Sequence, residues 1–133
     1  MEIQKNPCNE CSYIIETLKK IDKMQKEAVI SEQQECVTCQ NSLITFSNNT
    51  IPLLIGLRCG GVLTGNIGTT TNSTSYFKVE AIRCDRYITL RLLSLENETL
   101  SATPYTLTID GECICYVQCF EPISTTPCNL NSL

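Results

Sequence analysis

Residues 76–95 read YFKVEAIRCDRYITLRLLSL, two strand-like runs joined at Cys84-Asp85. In the first, Phe77, Val79 and Ala81 alternate with Lys78, Glu80 and Ile82, so a strand over Tyr76–Arg83 has an apolar face and a mostly polar one. The second run, Arg86–Leu95, is rich in Ile, Leu and Thr, and the Cys-Asp pair between them is a turn signal. The same grammar extends outward. Leu43–Phe46, Ile51–Arg58, Tyr105–Asp110 and Glu112–Phe120 are further short runs rich in β-branched and aromatic residues. Asn48-Asn49, Cys59-Gly60-Gly61, Glu96–Glu98 and Asp110-Gly111 punctuate them, and Gly65–Ser75 (GNIGTTTNSTS) reads as a polar loop. No helical pattern intervenes, so the expected class is mainly β, an antiparallel β-sandwich or barrel-like domain.

The N-terminal part has a different period. Asn6-Pro7 offers an N-cap followed by proline at the first helical position. Apolar residues then recur at Ile14, Leu18, Ile21, Met24 or Gln25, and Ala28. Glu10 in the first turn and Lys19, Lys20, Lys23 and Lys26 later suit the helix dipole. The spacing predicts one N-terminal α-helix over about Pro7–Ile30. The organisation expected is therefore a helix and cysteine-bearing arm over 1–40, an antiparallel β domain over 41–120, and an extended C-terminal arm over 121–133.

The charge balance is 10 − 14 = −4. Nucleic acid is a poor partner for it, because phosphate neutralisation needs clustered Lys and Arg. The longest apolar run, Ile51–Leu57, is strand-length and far short of the roughly 20 residues a membrane helix needs. The expectation is a soluble chain with neither a nucleic-acid nor a membrane partner. Charged residues make up only 18% of it, so copies repel one another weakly and tolerate dense packing.

Ten cysteines and no histidine set the functional question. The start, MEIQKNPCNECSYII, has none of the features of a secretory leader. Thiols of a protein made in a reducing cytosol are metal ligands, redox catalysts, or crosslinkers oxidised later. Cys8/Cys11 and Cys36/Cys39 form a C-x2-C…C-x2-C pattern with 24 residues between, a candidate four-thiolate zinc site. A helix of about 24 residues is roughly 36 Å long, however, and holds the two pairs apart. A thioredoxin-type motif lacks its alternating βαβ framework. On the last strand, Cys113, Cys115, Val117 and Cys119 share one face by the period of two. Neighbours there are about 6.6 Å apart with parallel Cβ vectors, the wrong orientation for pairing with each other. Either each has a partner elsewhere or cysteine serves there as a small core residue. Without histidine there is no Ser-His or Cys-His couple, and the glycines match no phosphate loop. No enzyme, cofactor or resident metal is expected.

The run Tyr105–Phe120, YTLTIDGECICYVQCF, resembles the C-terminal signature of the spore coat protein Y/Z family of endospore-forming bacteria. Leu107–Asp110, Cys113, Cys115, Val117-Gln118 and Cys119 carry the likeness. Tyr76–Ile82 followed by Thr89–Leu93 resembles the family's preceding strand pair, and Cys36–Cys39 and Ile51–Ile55 resemble its upstream elements. Tyr105-Thr106 stands where the family usually has a further cysteine. The resemblance implies a structural protein of the spore surface, in coat, crust or exosporium, made in the mother-cell cytoplasm. It implies self-assembly into homo-oligomeric, hexameric rings joined in a two-dimensional lattice, in contact with other coat or exosporium proteins and locked by intermolecular disulfides. On that reading Cys8, Cys11, Cys36, Cys39 and Cys128 join rings. Cys113, Cys115 and Cys119 act within or between neighbouring protomers, and Cys59 and Cys84 are further crosslink candidates at turns. The rival from another class is a zinc-stabilised interaction module built on Cys8, Cys11, Cys36 and Cys39.

Overall fold

The computed structural model describes residues 13–28, 48–69 and 71–125. They form a helix, α1 (13–28), and seven strands: β1 (Leu53–Leu57), β2 (Gly65–Asn66), β3 (Ser73–Thr74), β4 (Tyr76–Arg83), β5 (Tyr87–Glu96), β6 (Thr99–Asp110) and β7 (Ile114–Cys119). A 3-10 turn, Gly111–Cys113, links the last two. Five strands make one antiparallel sheet in the order β6-β5-β4-β1-β7, and β2 and β3 make a small ribbon of their own. The expected class, mainly β and antiparallel with one N-terminal helix, is what the chain adopts.

The sheet is curled but not closed. Its two edge strands, β6 and β7, are joined by the three residues of the 3-10 turn. From Asp110 to Ile114 the backbone reaches at most about 14 Å, whereas the edges of a flat five-stranded sheet lie about 19 Å apart. The sheet must bend to let the chain cross. β6 and β7 nevertheless share no ladder, so the barrel stays open.

The concave face holds the core. Leu53 and Ile55 of β1, Phe77 and Val79 of β4, Ile88, Leu90 and Leu92 of β5, and Ile114 of β7 are buried together with Ile15, Leu18 and Ile21 of α1. The helix buries the 15, 18, 21, 25 stripe, while Met24 turns outward. The β2–β3 ribbon covers the β5–β6 side. A Cβ at Gly65 would stand 2.9 Å from Leu92 and 3.0 Å from Leu107, so only glycine lets the ribbon lie this close.

Bulges re-aim the side chains that simple alternation misplaces. β4 shifts register against β5 between Val79 and Ala81. Ala81 then opposes Thr89, and Ile82, rather than Ala81, packs against the core opposite Ile88. At that break the Val79 carbonyl accepts from Gln25 Nε2 at 3.0 Å, and Gln25 Oε1 accepts from the Ile51 amide at 2.8 Å. One buried amide thus ties α1 to β4 and to the start of β1. Gln25→Leu keeps the volume but orphans both backbone groups. At about 1–3 kcal/mol for an orphaned buried group, and toward the low end for the part-buried Ile51 amide, the cost is about 2–4 kcal/mol. It is read as a lowered urea midpoint at unchanged slope.

Two Thr-x-Tyr segments flank β5 in the same way. Thr74 Oγ1 donates to the Leu93 carbonyl at 2.6 Å and accepts from the Tyr76 amide. Thr103 Oγ1 donates to the Leu92 carbonyl at 2.8 Å and accepts from the Tyr105 amide. The second sits where β5 and β6 lose register, between Arg91 and Leu93. The break accommodates Pro104, which has no N–H for a ladder.

The β4–β5 and β5–β6 hairpins close on pairs with positive φ, Cys84-Asp85 and Asn97-Glu98, as the tight turns favoured by twisted strands require. Downstream of β7 the chain is pinned as far as Thr125, within the segment expected to be an arm. Thr50 and Ile123 exchange backbone hydrogen bonds, and buried Asn49 bonds both the carbonyl and the amide of Thr125. The expected strand Leu43–Phe46 lies outside the described residues.

Candidate functional site: an edge strand and turns that present thiols

All five described cysteines, Cys59, Cys84, Cys113, Cys115 and Cys119, are exposed and none is in a disulfide. Cysteine is ordinarily among the most buried residue types. The core-residue reading is therefore overturned for these positions; the buried member of β7 is Ile114.

The one-faced stripe of the last strand is shortened. Cys113 belongs to the 3-10 turn and not to the strand. Val117 and Cys119 oppose Ile55 and Leu53, which places them at the rim of the core face. Tyr116 and Gln118 oppose Gly56 and Leu54 on the other face. β7 shifts register between Tyr116 and Ile114, so Cys115 is the extra residue of a bulge. The bulge lets Ile114 enter the core opposite Leu57 without dragging Cys115 in. Gly56 allows this packing, because a Cβ there would fall within 1.9 Å of the Tyr116 ring.

The surrounding polar groups hold these thiols in place. Asp110 is N-cap of the 3-10 turn through Oδ1 to the Glu112 amide, 3.0 Å. Arg86 clamps both oxygens of Asp110, with Nη2 at 2.8 Å from Oδ2, and reaches Glu112 at 3.6 Å. The Gly111 amide donates to the Arg86 carbonyl at 2.7 Å, and the Arg58 amide donates to the Cys113 carbonyl at 2.9 Å. Arg58 Nε also donates to the Glu112 carbonyl at 2.8 Å. Three segments, the turn after β1, the β4–β5 hairpin and the 3-10 turn, are thus bound to one another. The Arg86 guanidinium and the Glu112 amide hold the Asp110 carboxyl below its ordinary range. Arg86 in turn stays protonated at every accessible pH. At the hairpin tip, Lys19 Nζ lies 2.6 Å from Asp85, a contact that raises the lysine and fixes α1 beside Cys84. Cys84 itself has φ 55°, a conformation that non-glycine residues rarely adopt, and the turn holds its thiol outward.

Burial pushes the Cys119 thiol up from its ordinary value. The thiolate is the attacking species, so alkylation of Cys119 by iodoacetamide is expected to accelerate at a higher pH than alkylation of an unstructured cysteine peptide. Chymotryptic peptide masses after timed labelling give the rates. A midpoint at or below the peptide's contradicts the burial of Cys119 at the rim.

Cys8, Cys11, Cys36, Cys39 and Cys128 lie outside the described residues, and with them the zinc set. Among the described residues, no cluster of three or more Cys, Asp or Glu is arranged to hold a metal ion. Among them, too, no helix is long and apolar enough to cross a membrane. The sequence locates Cys59 and Cys84 at turns correctly; it does not show that Arg86, Asp110 and Arg58 order the neighbouring 3-10 turn. The proximity of Asp110 and Glu112 to Gly111 was the available signal. Comparison with family models, curated proteins and solved structures finds no match to this chain.

Proposed function

We propose that the chain is a structural, self-assembling protein of the bacterial spore surface whose copies are locked together by intermolecular disulfides. The observation that carries this reading is the exposure of all five described thiols, without one disulfide among them, on a domain whose core is complete without sulfur. The core cluster of the described residues contains none of these cysteines. Their positions at turns and on an edge strand suit contact with other molecules. The low charged fraction permits close packing of copies. The likeness of Tyr105–Phe120 and of the β4–β5 strand pair to the spore coat protein Y/Z family gives the setting: a coat, crust or exosporium layer of rings joined in a lattice. Oxidation after synthesis in the mother cell reconciles the thiols with a reducing site of manufacture.

Crosslinks in such a layer act cumulatively. Each restricts the unfolded chain by only about 2–4 kcal/mol, but release of one copy requires several to break. The test is electrophoresis and negative-stain electron microscopy of the purified protein before and after dithiothreitol. Expected are multimeric bands that collapse to monomer on reduction, with rings or sheets that disperse in parallel. A single monomer band that ignores the reductant overturns the reading, as does unfolding by chelator with about one zinc per chain.

A further inference from the structure

β7 is an edge strand. Its only ladder partner among the described residues is β1, and no described residue pairs with the other side of its backbone. Edge strands of this kind template pairing with another chain, and proteins usually guard them with charge, proline or bulges. The opposite edge is guarded: β6 carries Pro104 and a register break. β7 reads Ile-Cys-Tyr-Val-Gln-Cys, with no charged residue and no proline, and its one irregularity is the bulge at Cys115, which leaves Tyr116–Cys119 as a regular free edge.

The backbone phase of that free side can be worked out. The Phe120 amide donates to the Pro52 carbonyl, so Phe120 faces β1. By alternation Gln118 and Tyr116 also face β1, opposite Leu54 and Gly56, while the amides and carbonyls of Cys119 and Val117 face outward. Cys115 is next in the outward series and, as the bulge residue, is not claimed by β1. The outward series is thus Cys115, Val117, Cys119, which is symmetric about Val117.

We propose that β7 pairs edge to edge with β7 of a second copy of this chain, antiparallel and about a two-fold axis at Val117, so that Cys115 of each copy forms a disulfide with Cys119 of the other. This rests on the crosslinked assembly proposed for the chain and names its joint. Antiparallel pairing with Val117 opposite Val117 sets Cys115 opposite Cys119 twice, in hydrogen-bonded pairs. Such pairs have Cα atoms about 5.5 Å apart, inside the 4.4–6.8 Å that disulfides span, and their Cβ atoms, about 5.5 Å apart in a regular ladder, draw in to about 3.5–4.5 Å when the bond closes. The interface is isologous, which gives a closed dimer rather than an open filament. The paired strands themselves are uncharged, and the acidic Glu112 and Glu121 lie beyond their ends. The occupant is a second copy because the spacing of the thiols is its own complement. Formation of the two bonds removes four protons and four electrons from four thiols. Dioxygen is the oxidant, one molecule being reduced to two waters.

The experiment uses the full chain with the other eight cysteines changed to serine, and two variants of it, Cys115→Ser and Cys119→Ser. Each variant alone has no complementary thiol and is expected to stay monomeric on a non-reducing gel after air oxidation. An equimolar mixture is expected to give dimer, because Cys119 of the first meets Cys115 of the second. Dimer from either variant alone, or none from the mixture, overturns the pairing.

Because the eight serines alter residues outside the described part, the unaltered protein is tested as well. Isotopically heavy and light copies are mixed, oxidised and digested with chymotrypsin, which cuts after Tyr116 and so separates Cys119 from Cys115, and fragmentation of the joined peptides distinguishes Cys115 from Cys113, which share one of them. Heavy–light peptides joining Cys115 to Cys119 support the pairing. Cys119 joined to any other cysteine, of the same or another copy, overturns it. If such other crosslinks still build multimers, the β7 joint fails while the crosslinked-assembly reading stands; if no crosslink forms, both fail.

Discussion

Phe77→Ala lowers the free energy of unfolding by about 3–5 kcal/mol, the range for truncating a fully buried phenylalanine. Phe77 has no exposed surface and is the largest of the fully buried side chains. It stands in register with Leu53 on β1 and Leu92 on β5, so its ring fills the middle of the sheet's concave face. The neighbours are held by ladders on both sides and cannot collapse into the space. Domains of this size have a total stability of about 5–15 kcal/mol, so the loss is a fifth or more of the whole. Circular dichroism in a urea series under reducing conditions measures it without help from crosslinks. Phe77→Leu is expected to cost less than half as much, and Cys59→Ser, on an exposed turn, to stay within about 0.5 kcal/mol. If Phe77→Ala and Cys59→Ser fall together, the core has been misplaced.

For assembly, the order of folding and oxidation matters. Crosslinking at exposed positions does not discriminate a native neighbour from an unfolded one. A domain that folds fully on apolar burial presents its thiols only in the geometry of turns and strand edges. Destabilising the core is therefore expected to raise the share of irregular crosslinks as well as the share of unfolded chain.

The parts legible in the sequence are those set by periodicity. The alternation in Tyr76–Arg83 gave that strand its observed limits, and the helical face came out within one residue, Ile15 replacing Ile14 as the buried contact. The bulges were not legible, since an extra residue leaves no mark in an apolar-polar pattern. Ala81, with its small side chain, sits on the polar face as easily as on the core face. On β7 the bulge decided the matter more sharply: strict alternation groups Cys113 with Cys115 and sends Ile114 outward, whereas burial of Ile114 fixes the register and leaves the thiols at the rim. The two-residue strands Gly65–Asn66 and Ser73–Thr74 were missed for a different reason. Neither has an apolar side chain, and they pair because Gly65 can approach Leu92 and Leu107, a requirement of tertiary packing. The extension of β6 back to Thr99 likewise depends on the length of its partner, β5, and not on its own polar residues.

Gly111→Val is expected to cost about 3 kcal/mol, the upper part of the range for overpacking a filled site. Gly111 is buried at the point where the chain leaves β6, and a Cβ there would meet the Arg86 carbonyl oxygen at 2.8 Å and Ile15 Cδ1 at 2.8 Å. The first obstacle is backbone and cannot move without breaking the 2.7 Å hydrogen bond from the Gly111 amide. The second is the end of a side chain on α1. Ile15→Val removes that methyl group and alone costs about 0.5–1.5 kcal/mol. In the Gly111→Val background it is expected to cost nothing or to restore stability, an interaction of about 1 kcal/mol in a double-mutant cycle. Simple additivity would show that α1 does not press on the 3-10 turn. The effect also bears on the edge strand, because the three residues from Gly111 to Cys113 carry the chain across the open side of the curled sheet into β7. A side chain at 111 pushes that crossing away from Arg86 and displaces Cys113, while Cys119, held opposite Leu53, keeps its place. Alkylation of Cys113 is then expected to change in rate more than that of Cys119. Equal changes at both thiols would mean that the turn and the strand move as one body.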